Sequence, residues 1–389
     1  MRTAYIRNHN IITSLGFTSE ENFEALKEGE TGIRPTEDPL LYPASVPLSL
    51  VNPAKLNEKM AGVLHDRNKK SPADSYTRLE KMFIVSVHEA LQEQEILPAN
   101  SRTLLVLSTT KGNIDLLEER YRLIFDHKRL YLWDLGRVVG QFFGFANPPL
   151  IISNACVSGV VAIMTAARYI VAGRYDHAVV TGGDIISEFV ISGFKAFQAL
   201  SNEPCKPFDL DRTGLSLGEG CGTIVLSAEP PAGKSAIRVA GAATSNDANH
   251  ISGPSRTGEE LSWAINQAIT EAGILPETVG YISAHGTATS FNDEMESKAL
   301  TLSGLSGIPI NSFKGYWGHT LGAAGVIESA AAISSLGSGY LVRSAGFEKP
   351  GTPVPLNVIT RGNRSAFQTC LKTASGFGGC NAAIIYQKM

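Results

Sequence analysis

The chain has 389 residues, of which 43 % are hydrophobic, 18 % charged and 8 % aromatic. This is the composition of a globular protein, and it excludes a disordered or collagen-like chain. The 34 Lys and Arg residues face 37 Asp and Glu residues, and the net charge of −3 makes nucleic acid a poor candidate for the main partner. The length predicts two to three domain-sized units, or one large duplicated fold.

The sequence has no stretch of roughly 18 unbroken apolar residues, which a membrane helix requires. Its N-terminus lacks the apolar segment of a signal peptide. The cysteines are odd in number, widely spaced and without a C-x-x-C pair: Cys156, Cys205, Cys221, Cys370 and Cys380. We therefore expect a cytoplasmic protein with free thiols, without a zinc site, a disulfide framework or a membrane span.

Strands and helices are predicted to alternate along the chain. Short apolar or β-branched runs predict strands at 4–7, 103–108, 150–153, 177–181, 222–227, 237–240, 279–283, 308–311 and 382–386. Apolar residues at helical spacing predict helices at 20–27, 53–64, 78–94, 116–123, 131–143, 160–171, 259–272 and 321–336. This alternation favours an α/β fold whose sheets are covered by helices on both faces.

One pattern occurs in both halves of the chain. A short strand leads into a turn with reactive side chains, and an Ala-rich helix follows. Strand 150–153 precedes Cys156, and strand 308–311 precedes Lys314 and His319. The repeat predicts two similar halves that face each other, with the two turns meeting.

Cys156 lies in the turn SNACVSG between a predicted strand and a predicted helix. Unpaired N–H groups and the helix dipole at such a position favour a thiolate over a thiol. The same N–H groups can donate to an oxyanion. The alternative is that Cys156 is an unreactive core cysteine. We interpret the other four cysteines in that way.

Two histidines and a lysine follow in the second half. His285 lies directly after a strand in SAHGTAT, where Thr287 and Thr289 offer hydroxyl groups to a polar ligand. Lys314 precedes His319 by five residues in KGYWGHT, which is not a metal-binding spacing but suits a neutral histidine beside a cation. A capping role for His285, and a surface lysine beside a core histidine, remain open at this point.

Phe377 lies among glycines in GFGGCN, before the last predicted strand. The backbone N–H groups of such a loop can bind an anion, although a plain tight turn is the alternative. The sequence has no P-loop, no dinucleotide fingerprint and no H-E-x-x-H motif. A cysteine nucleophile with two neutral histidines and a lysine suits acyl transfer and enolate stabilisation. This set fits carbon–carbon bond formation better than peptide cleavage.

These motifs resemble, nearly end to end, those of the β-ketoacyl-acyl-carrier-protein synthases of the elongating type, in the thiolase superfamily. The resemblance includes IITSLGFTSEENFEALKEGETGIR, the cysteine turn, FDxxRxGxxxGEG, DAxH, AHGTATSFND, KGYWGHTLGAAGVIE and GFGGCN. It implies a five-layered αβαβα fold of two thiolase-like halves. Residues 1–230 carry the nucleophile in this interpretation, and residues 231–389 carry the catalytic histidines.

The resemblance also implies a role for each site residue. Cys156 becomes the nucleophile, His285 and His319 become the catalytic pair, and Lys314 becomes the cation that supports His285. The backbone N–H groups of Cys156 and Phe377 become the oxyanion hole, with Phe377 also gating the acyl pocket.

Further roles are implied around this centre. Thr287 and Thr289 would contact the phosphopantetheine arm of the substrate, and Phe377 and Gly378 are also assigned to substrate binding. Glu328 would be the buried glutamate that follows GAAG in the family.

The implied reaction is a decarboxylative Claisen condensation. An acyl group on Cys156 reacts with malonyl-acyl-carrier protein to give β-ketoacyl-acyl-carrier protein, with no cofactor or metal. The implied partners are acyl carrier protein and a second subunit, in a homodimer or a heterodimer with another ketosynthase-like chain. Because carrier proteins are acidic, we expect a local basic patch, with these candidates: Arg67, Lys69, Lys70, Arg78 and Lys81.

Three positions depart from the family pattern. Asn154 and Cys380 each replace a usual threonine, and Ser375 stands where a bulky phenylalanine is frequent. Acyl-chain selectivity therefore stays open, as does the choice between fatty-acid elongation and an aryl-polyene or type II polyketide pathway. Two other interpretations are a non-catalytic subunit of the chain-length-factor type and a thiolase acting on coenzyme A esters. Cys380 is similar to the second cysteine of thiolases, but the G-H-T turn and the A-H-G-T motif argue against that class.

Overall fold

The computed structural model describes residues 2–92, 94–121, 124–232, 235–249 and 253–389. The strands in these parts are β1 Ala4–Ile12, β2 Arg34–Thr36, β3 Val46–Ser49, β4 Thr103–Ser108, β5 Leu150–Ile152, β6 His177–Asp184, β7 Leu217–Gly218, β8 Gly220–Ser227, β9 Ile237–Asn246, β10 Tyr281–Ser283, β11 Ile310–Asn311, β12 Tyr340–Leu341, β13 Asn363–Arg364, β14 Thr369–Gly376 and β15 Cys380–Lys388. The α-helices are α1 Ser19–Glu28, α2 Pro53–Asp66, α3 Arg78–Leu91, α4 Leu132–Phe143, α5 Ser158–Val171, α6 Glu188–Ala196, α7 Glu259–Ala272, α8 Ser290–Leu302, α9 Lys314–Trp317 and α10 Ala324–Ser338.

Ten strands form one hydrogen-bonded set in the order β11-β10-β14-β15-β9-β1-β8-β6-β4-β5. Counted inward from the edge strand β11, two parallel pairings are followed by two antiparallel ones. The same sequence of pairings is found when counting inward from the other edge strand, β5. Among the described residues, strand pairing joins the two five-stranded halves only where β1 pairs with β9 over two positions. This matched pattern confirms the predicted duplication. The predicted domain boundary at residue 230 stays a prediction, and the two halves of the set separate between Ser227 and Ile237.

Helices pack in three layers around these two half-sheets. Helices α2, α3 and α4 cover the outer face of the N-terminal half, and α7 and α8 cover the outer face of the C-terminal half. Helices α5 and α10 lie between the halves and contact strands of both. The five-layered αβαβα arrangement that the family resemblance implied is confirmed.

The two central helices cross in direct backbone contact. A Cβ atom on Gly159 of α5 would lie 2.6 Å from the backbone nitrogen of Val326, and one on Gly325 of α10 would lie 2.4 Å from that of Val160. No side chain fits between helices at this separation, so glycine is required on both. The crossing places the start of α5, which follows Cys156, against the start of α10.

Some elements differ from the predictions, for identifiable reasons. The helix predicted at 116–123 is a pair of short 3-10 turns, Ile114–Leu117 and Glu119–Tyr121, and residues 122–123 lie outside the described ranges. Helix α8 was missed because its buried side includes polar residues such as Asp293 and Glu296, which hide the apolar periodicity. Strand β14 was missed because Lys372 interrupts its apolar run. Helix α6 was also missed.

One helical stretch, Leu321–Ser338, is long and apolar enough to cross a membrane by length and composition alone. In the structure 83 % of it is buried inside the protein. That is the pattern of a core helix, and this stretch includes α10 of the central layer.

The helix crossing makes a testable prediction. We expect Gly325→Ala to lower the free energy of unfolding by about 2 kcal/mol, because the added methyl group overlaps the backbone of α5. Gly62→Ala is the matched control, since Gly62 is an exposed helical position of α2 where an added methyl group would have no neighbour within 4 Å. This control should gain about 0.5–1 kcal/mol. Urea unfolding of both variants checks the prediction, and an unchanged midpoint for Gly325→Ala would contradict the tight crossing.

Candidate active site

Cys156 lies in the turn between β5 and α5, on the wall of a cavity of about 700 Å³. The preceding residue, Ala155, has a φ of 44°, in the left-handed region that a non-glycine residue seldom occupies. Ser158 stabilises the turn, because its Oγ accepts from the backbone of Asn154 at 2.7 Å and donates to the carbonyl of Ala155 at 2.6 Å. The sulfur is therefore directed to the end of the strand, at the cavity.

His319 lies directly against the cysteine: its Nε2 is 3.0 Å from the Sγ of Cys156. The backbone of His319 is held by Ser216, whose carbonyl accepts its N–H at 2.8 Å, and by Gly218, which donates to its carbonyl at 3.0 Å. The ring of His285 lies beside that of His319, with 5.4 Å between centroids in an edge-to-face arrangement. The predicted meeting of the two turns is thus observed in the structure.

His285 follows β10 and is held by groups on two sides. Its backbone N–H donates to Glu296 Oε1 at 2.9 Å, while its Nδ1 faces the Nζ of Lys314 at 3.3 Å. An ammonium group can only donate, so Nδ1 acts as the acceptor and we assign the ring proton to Nε2. His285 lines the cavity, and its protonated nitrogen can serve as a donor there.

Behind the histidines lies a fully buried group of charges. The Nζ of Lys314 is 2.7 Å from Oε1 of Glu328, and the Nζ of Lys372 is 2.7 Å from Oε2 of the same carboxylate. Lys314 and Glu328 were predicted site residues, whereas Lys372 was not predicted. The available signal was a lysine in the middle of the otherwise apolar run CLKTA, a position where an unpaired charge is costly.

Burial sets the protonation of the catalytic groups. It lowers the pKa of His285 and of His319 well below the usual value, and the nearby charge of Lys314 lowers both further. Burial also raises the pKa of the Cys156 thiol to about 11, against the opposing charges of Lys111 and Lys314. Both imidazoles are therefore neutral at pH 7. Burial therefore favours a thiol at Cys156, where the position before a helix alone predicted a thiolate, and His319 is placed to accept the thiol proton.

The oxyanion hole predicted at the backbone N–H groups of Cys156 and Phe377 involves two segments of the chain that lie close together. A Cβ on Gly376 would be 3.0 Å from the backbone nitrogen of Cys156, so the loop before Phe377 passes directly over the cysteine. Within the described ranges, neither Cys156 nor Phe377 donates a backbone hydrogen bond. The ring of Phe377 packs on Phe194 and Phe197, with centroids 5.6 and 5.2 Å apart. Sequence reasoning missed these two gate partners, which lie in or next to the unpredicted α6.

Thr287 and Thr289 line the same cavity, and their hydroxyl groups are 2.8 Å apart. Gly378 is the exception among the predicted substrate-binding residues. It is exposed, does not line the cavity, and its carbonyl accepts from the side chain of Asn246 at 3.0 Å. Its φ of 84° gives it a turn-forming role, and its assignment to substrate binding stays a prediction.

Asp184, at the end of β6, is another residue that sequence reasoning missed. Its buried carboxylate accepts from the backbone of Thr110 at 2.9 Å and from that of Gly322 at 2.7 Å. It also accepts from the hydroxyl of Thr109 at 2.7 Å. Asp184 therefore ties the loop after β4, which carries Lys111, to the segment after His319.

The remaining cysteines have structural surroundings. Cys205, Cys221 and Cys370 are buried, as expected of core cysteines, whereas Cys380 is half-buried. The thiol of Cys380 donates to Oδ1 of Asn154 at 3.0 Å, so two departures from the family pattern contact each other. Across the described residues, no group of three His, Cys, Asp or Glu side chains is arranged to hold a metal ion.

Two family models match nearly the whole chain. "Beta-ketoacyl synthase, N-terminal domain" matches residues 10–232, and "Beta-ketoacyl synthase, C-terminal domain" matches residues 236–348. The chain belongs to the β-ketoacyl synthase family. It is thus a ketosynthase of the thiolase superfamily, as the resemblance predicted, in fatty-acid or polyketide synthesis.

Relatives from both kinds of pathway are similar to this ketosynthase. It is 33 % identical to 3-oxoacyl-[acyl-carrier-protein] synthase 2 of Vibrio cholerae over 63 % of the chain and 64 % of that protein, so the match spans just under two thirds of the relative. It is 27 % identical to the mitochondrial synthase of Arabidopsis thaliana, over 99 % of the chain and 93 % of that protein. It is 30 % identical to the ketoacyl synthase alpha subunit of the tetracenomycin polyketide synthase of Streptomyces glaucescens, over 80 % of the chain and 82 % of that protein.

Solved structures share the fold throughout. A chain from the complex of a ketosynthase with its chain length factor from Xenorhabdus doucetiae superimposes with a TM-score of 0.86 at 25 % identity, covering 100 % of this chain and 98 % of that one. A β-ketoacyl synthase from Burkholderia phymatum gives a TM-score of 0.85 at 22 % identity, with both chains fully covered.

The predicted basic patch is wrong in part. The half-buried Arg78 forms an ion pair with the buried Glu219, and Lys81 is buried with its Nζ 2.8 Å from Asn57 Oδ1. Both cations are engaged in contacts within the fold. Arg67, Lys69 and Lys70 remain candidates, although the first two lie over the rings of Phe143 and Phe142.

The raised pKa of Cys156 makes a testable prediction. Because the thiolate is the reactive form, alkylation of Cys156 by iodoacetamide should accelerate about tenfold per pH unit between pH 7 and pH 10, without levelling off. Quantitative mass spectrometry of the Cys156 peptide gives the rate, with Cys156→Ser as the control for assignment. A plateau reached below pH 8 would show that the thiol is ionised in the resting enzyme and would contradict this account.

Proposed function

We propose that this ketosynthase catalyses decarboxylative Claisen condensation between an acyl group on Cys156 and malonyl-acyl-carrier protein. The observation that carries the proposal is the contact of Cys156 Sγ with His319 Nε2 at 3.0 Å, with the ring of His285 alongside. One nucleophile and two neutral imidazole groups thereby face one cavity. This arrangement provides the sulfur and the donors that the two half-reactions need.

In the first half-reaction, the thiol proton of Cys156 passes to Nε2 of His319 and the sulfur attacks the acyl thioester. The carbonyl oxygen becomes an oxyanion that accepts from the backbone N–H groups of Cys156 and Phe377. The carrier thiol leaves with the proton that His319 held. The products are acyl-Cys156 and a free phosphopantetheine thiol on the carrier.

In the second half-reaction, malonyl-carrier loses its carboxylate as CO2, and the bonding electrons form a thioester enolate. The Nε2–H of His285 donates to the enolate oxygen, and the neutral ring of His319 lies beside that of His285. The enolate carbon then attacks the acyl thioester, and the sulfur of Cys156 leaves as a thiolate that takes up one proton from solvent. Thr287 and Thr289 line the route of the phosphopantetheine arm.

The pathway and the carrier are further parts of the proposal. The aromatic gate of Phe377, Phe194 and Phe197 surrounds the acyl route, while the small Ser375 leaves room beside it. A polyene or polyketide pathway is supported by the likeness to the Xenorhabdus complex and to the tetracenomycin subunit, and fatty-acid elongation by the 3-oxoacyl synthase relatives. Exposed Arg256 at the cavity offers an acidic carrier protein a cationic contact.

A non-catalytic role is the second candidate, because the similar Xenorhabdus structure is a complex of a ketosynthase with a chain length factor. The intact Cys156–His319 contact favours the catalytic role for this chain. A thiolase role is not favoured, since Cys380 donates to Asn154 rather than facing the cavity.

Intact-mass measurement tests the nucleophile. Mixed with a panel of acyl-carrier thioesters, the wild type and Cys221→Ala should gain one acyl group, whereas Cys156→Ala should gain none. Cys221 is a matched control because it is a buried cysteine in the core, away from the cavity. An adduct on Cys156→Ala, or none on the wild type with any donor and with a co-purified partner present, would refute the assignment.

The second half-reaction is tested separately. We expect His285→Ala to slow CO2 release from malonyl-carrier by about 100-fold, because one donor to the enolate is lost. Acylation of Cys156 should change by less than about threefold, since His319 accepts the thiol proton. An equal loss in both steps would show that His285 has a merely structural role.

We also propose that the chain acts as a dimer with a second ketosynthase-like subunit. Strand β5 forms one edge of the ten-stranded set, and α4 packs against it through Gly136 and Ile151. At the start of α4, Tyr131 and Trp133 stack on each other while remaining 50 % and 57 % exposed. An open strand edge beside exposed aromatic rings is typical of a subunit interface.

Light scattering after size exclusion tests the interface. Trp133→Glu should convert the dimer to a monomer at micromolar concentration, because a buried interface cannot hold an unpaired carboxylate. Leu275→Glu is the control, since Leu275 is 61 % exposed and lies beside a short 3-10 turn away from this edge. A dimer in both variants would place the interface elsewhere, and addition of a co-purified partner distinguishes the homomeric from the heteromeric assembly.

A further inference from the structure

Lys372, in the middle of β14, is fully buried and does not line the cavity. Its ammonium group donates to the carbonyls of Thr373 at 2.7 Å, Ala284 at 3.1 Å and Ser283 at 3.4 Å. Ser283 and Ala284 are the two residues directly before His285. The ammonium group of Lys372 therefore holds the strand end from which the catalytic histidine projects.

The same ammonium group completes a balanced set of charges. Glu328 contacts Lys314 through one oxygen and Lys372 through the other, both at 2.7 Å. A second buried carboxylate, Glu296, accepts from the backbone of His285. Two ammonium groups thus face two carboxylates in a buried region, and removing Lys372 leaves one cation for two anions. An uncompensated buried charge is costly and acts strongly on its neighbours.

The imidazole rings of His285 and His319 are the neighbours on which this uncompensated charge would act. A net negative charge beneath them favours their protonated form, and it opposes the negative charge that develops on an enolate. The positive charge of Lys372 acts in the opposite direction, and it contributes to lowering the pKa of both His285 and His319 after burial and Lys314. The burial of Lys372 thereby serves the site as well as the fold.

We propose that Lys372 is a positioning residue of the condensation, acting through His285 and Glu328: it holds the strand end before His285 and supplies the charge that balances the second buried carboxylate. The inference rests on the reaction proposed above. It assigns to Lys372 no contact with the substrate, because its side chain is enclosed by β10, β14 and α10.

Other charged groups also face the histidines. Lys111 and Asp184 lie on the side of Cys156. Asp293 and Arg212 lie beyond Glu296, on the side of α8, and form an ion pair with 3.9 Å between Arg212 Nε and Asp293 Oδ2. None of these groups contacts Lys372. A substitution of Lys372 leaves these groups in place, so a change in the pKa of His285 or His319 results from the loss of the ammonium group.

The first measurement is made without substrate. NMR titration of the imidazole groups in Lys372→Met should show the pKa of His285 and His319 raised by about one unit or more relative to the wild type. Lys372→Gln is the second variant, because its amide can still donate to the strand-end carbonyls but carries no charge. It should show the same direction of change, even if Lys372→Met does not fold.

The second measurement is the pH profile of malonyl-carrier decarboxylation. Neutral histidines are required, so a raised pKa moves the acid limb of kcat to higher pH. On the acid limb itself, at pH values below the pKa of the histidines, we expect kcat at a given pH to fall about tenfold for each unit of that shift, with KM changed less than about threefold. The double variant Lys372→Met/Glu328→Gln removes one charge of each sign, and its acid limb should return towards that of the wild type.

Several results would overturn the inference. Unchanged histidine pKa values in a folded Lys372→Met or Lys372→Gln protein would do so, as would a double variant that retains the shifted limb of the single variant. If neither single variant folds, Lys372 is a stability element and the positioning role is rejected. A wild-type protein without decarboxylation would instead reject the proposed function, while the histidine titrations would still decide the role of Lys372.

Discussion

The contact between Gly159 and Gly325 is the constraint on which the rest of this ketosynthase depends. It lets the central helices approach until their backbones meet, and both helices start beside the cavity. Cys156 precedes one helix and His319 precedes the other, so the crossing sets the separation of nucleophile and base. Two residues 163 positions apart in the chain reach 3.0 Å by this route. A side chain at either glycine would push the two half-sites apart.

Around that crossing, the site follows from burial and from the charges that burial must balance. Removal of water makes the two imidazoles neutral and keeps the Cys156 thiol protonated, so catalysis starts from uncharged reacting groups. The charges are kept one layer behind, where Glu328 is shared between Lys314 and Lys372. A site of this kind presents neutral donors to an anion while avoiding an ionised group that would require solvent.

The duplication explains why each half contributes different chemistry from the same position. The edge strands β5 and β11 lead to the nucleophile in one half and to Lys314 and His319 in the other. The next strands inward, β4 and β10, lead to the Lys111 loop and to His285. Because parallel strands end at one edge of a sheet, all four loops converge when the halves face each other. Asp184 then joins two of these loops through hydrogen bonds.

The α/β class, the repeat and most of the candidate site could be predicted from the sequence, because Cys156, His285, Lys314 and His319 stand in local motifs whose side chains have recognisable chemistry. The three-dimensional packing showed which cations are free, since Lys81 of the predicted basic patch is buried and Arg78 is half-buried in an ion pair with Glu219. It also decided the thiol state of Cys156 and revealed Lys372, Asp184 and the partners of Phe377. The physical reason is that burial, pKa and charge balance depend on neighbours distant in the chain, which motifs and periodicity do not encode.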